Sequence, residues 1–156
     1  MRDINKVFIH CSDSDYSHHD NIETIRKWHV EERGWSDVGY HYFIRNDGTI
    51  ENGRPIDKIP AAQSGHNTGS IAICLSGKDV FTEKQFTALR ELCRQLNNKY
   101  KVTFHGHCEV SSKTCPNFEY RSVLNLDLDG NMPIVMFKVE GELSFWQKLL
   151  KWLNLC

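Results

Sequence analysis

Two short stretches at opposite ends of the chain carry residues that bind metals. One is Ile9-His10-Cys11-Ser12; the other runs from His105-Gly106-His107-Cys108 to Lys113-Thr114-Cys115-Pro116. Imidazole and thiolate both suit zinc. A hydrophobic strand ending in His10, with a distant loop holding His107 and Cys115, supplies three ligands. Three protein ligands leave a fourth position for water, the arrangement of a hydrolytic site rather than a structural one. Zinc in such a site lowers the pKa of its water to about 7 and polarises a carbonyl oxygen. Amide hydrolysis also needs proton transfer and charge stabilisation. Lys113, two residues before Cys115, can reach a developing negative charge, and the Tyr40 hydroxyl can orient a water or relay a proton. The alternatives are a solvated loop lysine and a half-buried aromatic ring.

Other histidines and cysteines compete for these roles. The chain has eight histidines and six cysteines. Cys74, in the run Ile71-Ala72-Ile73-Cys74-Leu75, and Cys93, on an amphipathic segment, read as buried small hydrophobes. No CxxC pair exists, which argues against a four-cysteine structural zinc site. Cys108 could compete as a ligand, although adjacent side chains usually diverge. His41 reads equally as support for a ligand or as a core histidine. His18 and His19 fall in a polar loop and read as solvated; Trp28 and Trp35 read as packing.

These residues need a scaffold. Lys6-Val7-Phe8-Ile9-His10 reads as a buried strand. Asp20-Asn21-Ile22-Glu23 has the form of a capping box opening a helix through Ile25, Trp28 and His29, ended by Gly34. Asn46-Asp47-Gly48 lies between strand-like runs at 40–45 and 49–51, a strong hairpin signal. Ser70 to Leu75 reads as a central strand. Thr82-Glu83-Lys84-Gln85 is a second capping box, opening an amphipathic helix through Phe86, Leu89, Leu92, Cys93 and Leu96. Val102 to His105 is a strand feeding the cysteine-bearing loop. The order of strand, helix, hairpin, strand, helix, strand predicts an α/β fold, a central mixed β-sheet flanked by helices.

The 156 residues are 40% hydrophobic, which suits one compact domain. A formal net charge of −1, from 19 basic and 20 acidic residues, points to no nucleic-acid partner. No apolar run reaches membrane-span length. Met1 to Lys6 lacks the apolar stretch of a secretory signal, so the expectation is synthesis in the cytoplasm and action after release or non-classical export. Residues 125–156 read as an extension packed on the 1–124 catalytic unit. It holds a strand at Ile134–Phe137 and an amphipathic helix from Leu143 to Cys156. That helix either completes the core or makes weak contact with a membrane surface.

A resemblance then narrows the chemistry. Gly34-Trp35-Ser36-Asp37-Val38-Gly39-Tyr40-His41-Tyr42 and Asp47-Gly48-Thr49-Ile50-Glu51-Asn52-Gly53-Arg54 resemble the signature of the type 2, zinc-dependent N-acetylmuramoyl-L-alanine amidases. Gly65-His66-Asn67-Thr68-Gly69-Ser70 to Leu75 resembles that family's next block, and His107 with Lys113-Thr114-Cys115-Pro116 its last. Together they span residues 6 to 120 in the family's order. The likeness is strongest to short phage amidase lysozymes and weaker to peptidoglycan recognition proteins. It implies one zinc on His10, His107 and Cys115, in a groove along one face of the sheet, with Tyr40 and Lys113 as catalytic partners. It also implies cleavage of the amide between N-acetylmuramic acid and L-alanine in peptidoglycan. The expected setting is a monomeric phage or prophage endolysin. A non-catalytic peptidoglycan-binding or regulatory module of the same fold is the alternative. Arg54, His66 and Asn67 are the candidate substrate-binding residues. The segment Pro60-Ala61-Ala62-Gln63-Ser64 departs from relatives, which carry a histidine there; Gln63 or His66 are the candidates to replace it.

Overall fold

The computed structural model describes residues 2–133. The strand expected at 134–137 and the helix expected at 143–156 lie outside them. Five strands form one mixed sheet in the order β3-β2-β4-β1-β5. They are β1 (Lys6–Cys11), β2 (Tyr42–Ile44), β3 (Ile50–Asn52), β4 (Ser70–Leu75) and β5 (Thr103–Gly106). β4 and β5 flank β1 in parallel, β2 runs parallel to β4, and only the β2–β3 hairpin is antiparallel. β1 and β4 are central and covered on both faces, which is why they read as near-continuous apolar runs.

Helix α2 (Glu83–Tyr100) packs on one face through Leu89, Leu92, Cys93 and Leu96, against Val7, Ile9, Ile71, Ile73 and Leu75. Burying each such leucine contributes about 1.5–3 kcal/mol. The Thr82–Gln85 capping box forms as the spacing predicts. Gln85 is also fully buried, and its amide donates to the carbonyls of Ile44 and Ser76.

The opposite face is covered by α1 (Ile22–Lys27), which buries Ile22 and Ile25 against Val38, Phe43 and Cys74. Its start differs from the expected capping box. Asn21 is the cap, accepting from the Thr24 N–H, while Asp20 accepts from Asn46 N–H and Glu51 accepts from Ile22 N–H. The long-range partners on the hairpin win over the local box. The helix continues as a π-helical turn, Trp28–Glu32, and the chain then turns through Gly34 at a φ of +70°. A third helix, α3 (Tyr120–Leu124), follows the cysteine-bearing loop. From there the chain returns to the sheet edge. Phe104 N–H donates to the Gly130 carbonyl at 2.8 Å, and Met132 joins the α2-side core.

Candidate active site

The sheet's register builds the site. β1 and β5 run parallel with Ile9 opposite Gly106, so His10 on β1 and His107, the first residue beyond β5, come next to each other. Both therefore sit at the carboxyl ends of parallel strands, where open α/β sheets place ligands. The His10 and His107 rings lie 4.6 Å apart between centroids. After β5 a short 3-10 turn, His107–Glu109, leads into a loop that folds back on itself. Cys108 N–H donates to the Cys115 carbonyl at 2.7 Å, and Ser111 Oγ donates to the His107 carbonyl at 3.1 Å. This closure carries Cys115 to the end of β1, where Cys11 N–H donates to its Sγ at 3.3 Å.

His10, His107 and Cys115 thus each offer one donor atom, all within 4.8 Å of one another. His10 Nδ1 lies 3.9 Å from Cys115 Sγ. A tetrahedral zinc with ordinary bond lengths places a nitrogen and a sulfur ligand about 3.6 Å apart, so the three donors fit a cation with little movement. Cys108 is exposed and outside the cluster.

The electrostatics suit ligation. Burial, with His107 and Lys113 nearby, lowers the pKa of His10 to about 3, so its imidazole is neutral. Burial and Lys113 also lower that of His107. Contact with Cys11 and burial push the Cys115 thiol up. A divalent cation held there would reverse that preference by binding the thiolate, which the Cys11 N–H would also favour.

His107 and Cys115 line a groove of about 690 Å³ together with Trp28, His29, Arg33, Trp35, Tyr40 and Lys113, and His10 lies buried behind them. Tyr40 and Lys113 therefore both face the site. The Tyr40 ring is 5.2 Å from the His10 ring. Burial, together with the neighbouring cysteines, raises its phenol pKa well above the ordinary value, so the hydroxyl keeps its proton and acts as a donor. His29 and Arg33 belong to this groove too, and neither stood out in the sequence. His29 Nδ1 accepts from Gly39 N–H at 3.0 Å, which holds the segment leading into Tyr40, and its ring stacks on Trp35 at 4.5 Å. The π-helical turn brings His29 inward, and such turns recur at functional sites. The Arg33 guanidinium lies 5.6 Å from the centre of the Trp35 ring, a second cation beside Lys113.

Arg54, His66 and Asn67 are not among the residues lining the groove. The Arg54 guanidinium donates to the carbonyls of Val38, Ile59 and Asp37. Asn67 Oδ1 accepts from the N–H groups of Ala62 and Gln63. His66 is exposed, with its ring 6.5 Å from Phe8. His41 is a core histidine. Its Nδ1 accepts from Ala72 N–H and its Nε2 donates to the Lys58 carbonyl. His19 is tied down as well, through Ser14 Oγ at 2.7 Å and the Trp28 ring at 4.7 Å.

Fold and site geometry suit a metal-dependent hydrolase, and the comparisons with known proteins give the family. A family model described as N-acetylmuramoyl-L-alanine amidase matches residues 1–118, and the chain belongs to that family. Among named relatives, the endolysin of Klebsiella phage KP32 is 36% identical over 129 residues, 77% of this chain and 85% of the relative. The endolysin of Escherichia phage T7 is 38% identical over 124 residues, 74% and 82% respectively. Among solved structures, the N-acetylmuramoyl-L-alanine amidase LysC from Clostridium intestinale URNW superposes with a TM-score of 0.67. It is 31% identical, over 80% of this chain and 85% of that one. The chain is accordingly a hydrolase of the amide linking the glycan and peptide of peptidoglycan.

Proposed function

We propose that His10, His107 and Cys115 hold one zinc ion, and that the chain works as a phage-type endolysin on the bond between N-acetylmuramic acid and L-alanine. The convergence of two neutral imidazoles and one thiol at the mouth of a groove carries this reading. Zinc bound there supplies a Lewis acid for the scissile carbonyl and acidifies a water molecule. The protein's own groups do the rest. Tyr40, held as a neutral phenol, donates a hydrogen bond at the reacting centre and steers the water or the carbonyl. Lys113, on the loop that carries Cys115, places a cation where the oxyanion develops. Trp28, Trp35 and Arg33 line the same groove, where apolar faces and a cation suit the muramyl ring and the carboxylates of a stem peptide.

The proposed site of action is the cell wall, as for the phage endolysins the chain is similar to. Among the described residues no helix is long and apolar enough to cross a membrane. Mass spectrometry of digested peptidoglycan tests the bond. The expected products are free stem peptides beginning at L-alanine, with the sugar chains intact. Shortened glycans would overturn the assignment, and an undigested wall that still binds the protein would favour the non-catalytic module.

A further inference from the structure

Gln63 follows Pro60-Ala61-Ala62, and the structure places it beneath the site rather than in the groove wall. It is 1% exposed. Its Oε1 lies 3.0 Å from His10 Nε2, and its Nε2 lies 2.7 Å from Ser70 Oγ. Ser70 is fully buried, and its Oγ–H donates to the Asn67 carbonyl at 2.8 Å. That single hydroxyl proton is thereby used. Toward Gln63 the oxygen can only accept, so the amide nitrogen of Gln63 must face Ser70 and the amide oxygen must face His10. The oxygen then requires a donor, which is the His10 Nε2–H. The remaining nitrogen, Nδ1, carries a lone pair directed toward Cys115 Sγ.

We propose that Gln63 is a positioning residue for the metal: through this relay it sets the tautomer and ring orientation of His10, presenting Nδ1 as a ligand. Flipping the amide would set an N–H against His10 and move the imidazole proton to Nδ1, where it blocks ligation. The flip would also take the Ser70 hydroxyl proton away from the Asn67 carbonyl. His10, Gln63 and Ser70 are all buried, so solvent does not readily replace a partner lost among them. The backbone of the relay is pinned as well. Asn67 Oδ1 holds the Ala62 and Gln63 N–H groups at 3.1 and 3.0 Å, and Ser70 opens β4 beside Lys6 of β1. Asn67 thus builds the loop that carries Gln63.

This proposal rests on the zinc reading of the site, and its test separates the two. Zinc Kd is measured by chelator competition for the parent, Gln63→Leu and Gln63→Glu, and the His10 tautomer by long-range proton–nitrogen NMR on metal-free protein. The parent should show its proton on Nε2. Gln63→Leu should bind zinc about 10- to 100-fold more weakly, the usual effect of losing a ligand's supporting hydrogen bond. Gln63→Glu keeps the acceptor toward His10 but turns the Ser70 hydroxyl proton from the Asn67 carbonyl to the new carboxylate, and it should bind zinc more tightly than Gln63→Leu, since a carboxylate is a good partner for a ligating histidine. Equal affinity in the parent and Gln63→Leu would overturn the proposal alone, as would a parent His10 protonated on Nδ1 or a Gln63→Glu as weak as the leucine variant. A parent that binds no zinc would overturn the metal reading and this proposal with it. Should Gln63→Leu fail to fold, the parent tautomer decides.

Discussion

Val7 and Ile9 face α2, while Phe8 and His10, between and after them on the same strand, face the other way. The α2 side is an apolar core with Leu89, Leu92 and Leu96 filling it. The α1 side contains buried imidazoles at His10, His29 and His41, with Gln63 and Ser70 beside them. His41 has both ring nitrogens bonded to backbone. His29 accepts a backbone N–H through one. His10 alone of the three turns a ring nitrogen toward a thiol and a second imidazole. Burial of a histidine is therefore not the mark of this site. The mark is a buried histidine whose second nitrogen faces further metal-binding side chains.

The contrast predicts that substitutions on the two faces separate function from stability. Cys115→Ser should have the largest effect on the α1 side, abolishing measurable lysis and weakening zinc binding while the urea midpoint of metal-free protein moves little. Full lysis by that variant would remove Cys115 from the ligand set. Lys113→Ala should keep zinc and lose about 100-fold in turnover, the lower range for one positioned group in proton transfer or charge stabilisation. A rate equal to the parent's would leave Lys113 without a chemical role. On the α2 side, Leu89→Ala should cost about 2–5 kcal/mol of stability by opening a cavity, with zinc affinity per folded molecule unchanged. A fall in zinc affinity without loss of stability would break the division between the faces.

The same face also predicts a pH dependence of the metal-free protein. Burial lowers the pKa of His10 to about 3 and those of His29 and His41 to about 4. The unfolded chain protonates these rings near 6.5, so between about pH 6.5 and 4 it binds more protons than the folded state. Stability is thus fully present above pH 6.5 and falls on acidification, by roughly 1.4 kcal/mol per pH unit for each ring in the middle of that window. Urea midpoints in chelator at pH 7, 6 and 5 should decline in step. A flat profile would mean that the imidazoles are not held neutral by the fold.

Much of this was legible from residues alone, where a local rule decides. Asp47-Gly48 marked the hairpin, Thr82 with Gln85 marked the start of α2, and the apolar runs at 6–10 and 70–75 marked the central strands. The order of those elements implied the mixed sheet. What stayed hidden depends on contacts far apart in sequence. The relay from Asn67 through Ser70 and Gln63 to His10 joins residues 53 positions apart, and no spacing rule reports it. Asp20 reads as part of a local cap yet accepts from the Asn46 N–H, and the Ile22 N–H donates to Glu51 on the hairpin rather than to a local side chain. The π-helical turn at 28–32 shares its apolar spacing with an ordinary helix, so His29 carried no signal of its inward placement. Arg54 reads from sequence either as a substrate contact or as a loop hydrogen-bonding residue, and its guanidinium donates to three loop carbonyls.

The central claim is a three-ligand metal centre made of two imidazoles and one thiolate. X-ray absorption of the zinc-loaded protein at the zinc edge tests it most directly. The spectrum should show two nitrogen scatterers at about 2.0–2.1 Å, one sulfur at about 2.3 Å and one further light atom from solvent. A first shell with no sulfur, or with two or more, would contradict it.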